Sequence, residues 1–309
     1  MNIEINQRLY PFSHRPGTKV VLPGSTYVVE VYPCLIRLYD IIGTIPKNIV
    51  EIHLDLPGFF EQFTVCADLE NGCIRVWGMS KNGYVRYRLL SGNKKGVEFS
   101  LERAPSSGIR LEEGNQSYHL FAKQTVVFLS NDPFIPYEIP PCDRLSLGSH
   151  KQLDWEGVNR RLLLSEFFPV WHRLGQLLPF IENKGATGGT LALLDQCQES
   201  HGVIAESHWQ HLIQVGFSDL LVPHFEDTRF LGIPLPPFQS NDSSPLLLLS
   251  SGSQIIRELW IKKIESTISI LPSLLPSLPV GRLLDVSLGN GIFCSIEWTK
   301  KNNSSDDRF

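Results

Sequence analysis

Asparagine followed by glycine at positions 71 and 72 separates two stretches, FTVCADL (63–69) and CIRVWGM (73–79), that are rich in β-branched and aromatic residues. Both central positions of a tight type I′ turn need positive φ, and Asn-Gly supplies it. The pair therefore commits its flanks to an antiparallel hairpin. The same texture runs on both sides. TYVVEVYP (26–33), NIVEIHLDL (48–56), YVRYRLL (84–90) and GVEFSLER (96–103) read as strands, several with the apolar–polar alternation of half-buried chain. Asn82-Gly83 and Gly92-Asn93 mark the next turns. Strands at this spacing predict an antiparallel sandwich or barrel-like sheet over residues 1–131.

DPFIPYEIPPCD (132–143) then breaks the pattern. Proline removes backbone donors and favours extended chain, so this segment reads as a connector. Residues 144–264 predict a helical domain. Asp154 is placed to cap a helix starting at Trp155, and Pro169 is expected to interrupt it. Gly202 is expected to end the helix in TLALLDQCQESH. Ser207 and Gln210 form a capping box for HWQHLIQV, which Gly216 should end. Gly252 to Ile264 reads as the last helix. Residues 265–299 predict a β closure, with strands in STISILP, RLLDVSL and GIFCSIEW and a hairpin at Asn290-Gly291. The polar stretch KKNNSSDDRF (300–309) reads as a disordered tail. The expected class is α+β: an N-terminal antiparallel β-sandwich, a helical middle with the capacity for a reduced α/α toroid, and a small C-terminal β closure.

Composition narrows function mainly by exclusion. Hydrophobic residues make up 42% and charged residues 19%, too apolar for a disordered chain. The formal net charge is −4 and no Lys/Arg run exceeds two residues, which argues against a nucleic-acid partner. MNIEINQRLYPFSHRPG lacks the apolar core of a Sec signal. The apolar run Pro245 to Leu249 is far short of the ~20 residues of a membrane span. The expectation is a cytoplasmic protein, with export by another route left open. Six cysteines, Cys34, Cys66, Cys73, Cys142, Cys197 and Cys294, show no C-x-x-C spacing and read as reduced, mostly buried thiols.

The candidate chemistry is carboxylate chemistry. Pro223-His224-Phe225-Glu226-Asp227-Thr228-Arg229 follows a helix in a loop, where Glu226 and Asp227 are placed to act as acid or base beside Arg229. Glu166 and Asp195 sit in strongly apolar helices, a setting that raises a carboxyl pKa towards general-acid use. Trp171, His172 and Arg173 combine a stacking face with polar groups suited to a sugar. Each has a plainer reading: a solvated ion pair for the loop, a wet helix face for the carboxyls, a core position for Trp171. Tyr84, Tyr87, Trp77 and Phe99 stand either as an aromatic platform on the sheet or as sandwich core. His208 and His211, three apart, share a helical face, but with His201 before the Gly202 break and no nearby Cys they lack a third ligand, and GATGGT (185–190) matches neither phosphate-loop pattern, so neither a metal nor a cofactor is implied.

The segment 258–298, with Leu271, Pro272, Leu278, Pro279, Gly281, Val286, Glu297 and Trp298, resembles the closing element of helical-barrel glycoside hydrolases of the α-L-fucosidase and maltose-phosphorylase type. Those families run β-sandwich, helical barrel, small β-sheet, the order expected here. The resemblance implies a carbohydrate-active or carbohydrate-binding protein with a glycan or sugar ligand. Any hydrolysis would follow the two-carboxylate route, which needs the groups roughly 5–10 Å apart. The resemblance lies outside the catalytic part of that fold, so it assigns no active-site residue. RLSLGSHKQLDW (144–155) and FPVWHRLGQLLP (168–179) also resemble an uncharacterised protein family of chlamydiae. The alternative is a non-catalytic scaffold with a protein partner.

Overall fold

The computed structural model describes residues 9–43, 45–93, 95–148, 154–183, 185, 188–224, 244–265, 267–289 and 291–299. The elements in chain order begin with strands β1 (Phe12–Ser13), β2 (Thr18–Val21), β3 (Tyr27–Tyr32), β4 (Leu35–Asp40), β5 (Lys47–Asp55) and β6 (Glu61–Asp68). Next come β7 (Cys73–Ser80), β8 (Gly83–Ser91), β9 (Val97–Arg103), β10 (Ile109–Glu113), β11 (Gln116–Leu120) and β12 (Thr125–Phe128). They form two antiparallel sheets, ordered β1-β6-β7-β8-β9-β12 and β11-β10-β5-β4-β3-β2. This is the sandwich expected from the alternation. Val85, Tyr87 and Leu89 of β8 point into the core, as do Val97, Phe99 and Leu101 of β9. Tyr87 stacks on Phe99 with ring centroids 4.7 Å apart.

The hairpins differ from the dipeptide expectation in one respect. Asp68 pairs with Cys73, so Asn71-Gly72 closes a longer loop and not a two-residue turn. The Asp68 carboxylate accepts the Asn71 backbone N–H at 2.9 Å, and Gly72 takes the positive φ of 62°. The two-residue loop is Lys81-Asn82, between paired Ser80 and Gly83.

The connector does more than span. Phe134 packs where side chains on Gly92 and Gly96 would stand, and Ile139 does the same at Gly72. The Tyr137 N–H donates to Ser91 O at 2.9 Å. The chain then forms β13 (Arg144–Leu147), a strand at the head of the segment read as helical. Helices α1 (Trp155–Arg161), α2 (Leu164–Gln176), α3 (Gly189–Glu199) and α4 (Gly202–Gly216) follow. After them come short strands β14 (Phe217–Ser218) and β15 (Val222–Pro223), and helix α5 (Leu246–Trp260). The C-terminal strands are β16 (Ile261–Ile264), β17 (Thr267–Ile270), β18 (Gly281–Ser287) and β19 (Phe293–Trp298).

Helix boundaries moved for identifiable reasons. Asp154 caps α1 as expected, accepting from the Glu156 N–H at 3.3 Å. The break comes at Leu162, in the left-handed region at φ 49°, and Pro169 lies inside α2. Helix α4 begins at Gly202, so Ser207 is interior and donates to Ile204 O instead of capping. Helix α5 starts earlier than expected, at the Leu246 to Leu249 run, and ends at Trp260. Residues 261–264 form strand β16 paired with β17, where a helix was expected.

Helices α2 and α5 pack against each other through two glycines. A Cβ on Gly252 would fall 2.2 Å from the Trp171 ring, and one on Gly175 would fall 2.4 Å from Ser253 Cβ. The Trp171 indole N–H donates to Leu249 O at 3.0 Å, and the Ser253 hydroxyl donates to His172 O at 2.8 Å. The closing sheet has the order β13-β18-β19, all antiparallel. Ser287 pairs with Phe293, and the Leu288 N–H donates to Ile292 O at 2.9 Å, so this loop too exceeds two residues. Trp260 stacks on Trp298 at 4.6 Å, joining α5 to the closing sheet. Among the described residues no helix is long and apolar enough to cross a membrane.

Candidate functional site

The sequence-derived candidates scatter. Glu226, Asp227 and Arg229 lie outside the described residues, as does the 300–309 tail. Glu166 is buried in the first turn of α2, while Asp195 is exposed on α3. Neither lines the small cavity described next, and the structure does not bring them together there.

Trp171, His172 and Arg173 are buried. Trp171 meets Trp209 and Phe217 edge-on, at 5.7 and 4.6 Å, and offers no free ring face for stacking. His172 Nδ1 lies 3.1 Å from Ser253 O, and its Nε2 lies 3.2 Å from the Gln176 amide nitrogen. The ring is thus held neutral, Nδ1–H donating and Nε2 accepting. Burial pushes its pKa down to about 4, with Arg257 and Arg173 adding repulsion and Asp143 opposing it. Arg173 Nε donates to Leu69 O at 3.3 Å, anchoring α2 to the sandwich. Asp143 of the connector accepts from Arg257 Nε at 2.6 Å. His172, Arg173 and Asp143 line a cavity of about 10 Å³, room for about one water and far too small for a sugar ring. It reads as a polar joint between the layers.

The four aromatics considered as a platform divide between the two faces of the first sheet. Tyr87 and Phe99 are core; Trp77 and Tyr84 are half-buried on the outer face. Strict alternation in β7 and β8 produces this division, since Val76 and Val85 take the inward positions. Trp77 pairs with Arg86, and Met79 with Tyr84, so Trp77 and Tyr84 are diagonal neighbours on adjacent strands. Such neighbours stand ~7–8 Å apart, within reach of large rings.

Arginines surround this pair. Arg75 pairs with Arg88 across β7 and β8, and Arg86 with Arg103 across β8 and β9. Arg103 faces outward because of a β-bulge: the register shifts between Arg86 and Tyr87, leaving Glu102 as the extra residue. Glu102 forms an ion pair with Arg86, whose side chain is 38% exposed. Asp68 is fully buried and holds Arg75 at 3.0 Å. Glu98 sits close enough to feel Arg88, although burial still raises its pKa overall. Composition and motif searches pass over this cluster. Alternation alone hints at it, through the odd positions of CIRVWGM and the even positions of YVRYRLL.

Among the described residues no group of three or more His, Cys, Asp or Glu side chains is arranged to hold a metal. His208 Nδ1 is engaged by the Ser200 hydroxyl at 2.8 Å. Gly188 and Gly189, from the glycine run, form the start of α3. All six cysteines are free; Cys66, Cys73 and Cys197 are buried, and burial pushes each thiol up to about 12. No family model, no curated protein and no solved structure matches the chain.

Proposed function

We propose that this chain is a carbohydrate-binding protein and that glycan lies across the outer face of the first sheet. The observation that carries the reading is the diagonal pair Trp77 and Tyr84, half-buried on adjacent antiparallel strands. Each ring is fixed by its sheet yet keeps surface towards solvent. Aromatic side chains present an apolar face with a polar tip, which suits the axial C–H bonds and rim hydroxyls of a pyranose. The strands hold the rings in place before binding, which lowers the entropic cost of docking a flexible chain. The resemblance of 258–298 to helical-barrel glycoside hydrolases supports a carbohydrate lineage. Hydrolysis is the secondary proposal, and it rests on Glu226 and Asp227 finding a partner carboxyl at ~5–10 Å.

The test is calorimetric titration of the full chain with a panel of soluble neutral polysaccharides. At least one should bind. Trp77→Ala and Tyr84→Ala should each weaken it tenfold or more, whereas Phe180→Ser, 93% exposed in the segment after α2, should leave it unchanged. Binding that survives both aromatic substitutions refutes the platform. Product release by the wild type, lost in the Glu226→Gln/Asp227→Asn pair, would establish the hydrolytic reading.

A further inference from the structure

We infer that the Trp77–Tyr84 face takes an acidic glycan, one bearing carboxylate or sulfate groups, with Arg88 and Arg103 as the residues that hold its anions. The inference rests on the glycan-platform reading and adds the chemical class of the ligand.

The register carries it. Arg75 stands directly opposite Arg88, and Arg86 directly opposite Arg103. Like charges opposite one another destabilise a sheet, and here two such pairs are adjacent on three neighbouring strands. Internal carboxylates satisfy one member of each pair: Asp68 holds Arg75 at 3.0 Å, and Glu102 holds Arg86. Among the described residues no carboxylate oxygen lies within 4.0 Å of Arg88 or Arg103, and Glu98, which feels Arg88, stands beyond ion-pair distance. The bulge adds to this, since it turns Arg103 onto the same side as Arg86.

A neutral sugar would stack on Trp77 and bring no counter-charge to Arg88 and Arg103. A carboxylate or sulfate brings planar or clustered oxygens that match the guanidinium fork. Trp77, directly across from Arg86, places the ring of such a sugar beside the cations. Arg103 is exposed, so the charge is open to an arriving chain.

The experiment titrates the chain with polygalacturonate, dextran sulfate, uncharged dextran and inorganic polyphosphate, at low salt and again at raised salt. An acidic polysaccharide should bind at least tenfold more tightly than dextran, and salt should weaken it. Arg103→Gln and Arg88→Gln should each cut that binding fivefold or more and leave dextran binding unchanged. Trp77→Ala should remove both. Arg103 is exposed, so its variant tests the idea even if Arg88→Gln melts early. Polygalacturonate against dextran sulfate tells which anion is preferred. Equal affinity for dextran, indifferent to Arg103→Gln, overturns the inference and leaves the platform standing. Polyphosphate binding as tight as the acidic glycans and surviving Trp77→Ala overturns both, as does the absence of polysaccharide binding.

Discussion

His172 makes the stability of this protein depend on pH in a calculable way. Its ring is 1% exposed and neutral, donating to Ser253 and accepting from Gln176. Protonation would place a second N–H against an amide donor and a charge beside Arg173 and Arg257. The folded-state pKa is therefore about 4, against 6.5 for the free group. The unfolded chain takes up the proton first, so the contribution is fully present above pH 6.5 and is lost as pH falls from 6.5 to 4. Each pH unit in that window costs up to ~1.4 kcal/mol, and the whole window costs about 3 kcal/mol. That is a large share of the ~5–15 kcal/mol by which domains are usually stable. Urea unfolding at pH 7.0, 6.0, 5.0 and 4.5 measures it. Carboxylates also titrate near the lower end, so the comparison is with His172→Gln, which carries no proton-linked term. The wild type should lose ~2–2.5 kcal/mol more than the variant between pH 7.0 and 4.5. Parallel curves, agreeing within ~0.5 kcal/mol, would mean that the ring is not held neutral in the fold.

Gly252→Ala drives a methyl into the Trp171 ring at 2.2 Å and should destabilise by ~1–3 kcal/mol despite alanine's better helix propensity, read by thermal melting. Trp298→Ala removes the stack on Trp260 and the indole donor to Leu278 O, and should cost ~3–5 kcal/mol in urea titrations. Thiol labelling of the native chain at pH 8 should spare Cys66, Cys73 and Cys197, whose buried thiols stay protonated, and modify exposed Cys34; all six should react in denaturant.

The sandwich was legible because its strands alternate cleanly and its turns carry Gly and Asn. Asp154 was legible as a cap because its chemistry is local. The errors share a cause: a tertiary contact outweighed a local signal. The Ser207–Gln210 pair has the right spacing, but α4 begins six residues earlier, where His201 takes the cap position. Residues 261–264 continue an apolar helical pattern, yet Ile261 pairs with Ile270, and the Leu271 N–H donates to Trp260 O at 2.7 Å. Leu246 to Leu249 is buried at all four positions, so the first turn of α5 carries no apolar–polar contrast to mark where the helix starts. Of the candidate face, the aromatics Trp77 and Tyr84 could be named from sequence. The arginine pairs could not, since their opposition depends on register and on a bulge that no residue type announces.

The three-stranded closing sheet also sets a clock. Strand β13 emerges near residue 145, but its strand partner among the described residues, β18, is made near residue 283. At ~5–20 residues per second of synthesis, β13 waits on the order of 10 s with both edges bare. Helix α2, which packs on β13, waits with it. The sandwich has all of its strands by Phe128 and faces no such delay. Ribosome-arrested chains should therefore resist protease through the sandwich once that strand is clear of the ribosome, and through the helices only after β18 has emerged. For a chain arrested in between, apolar α2 and a strand with no partner mark the interval in which a chaperone has most to shield.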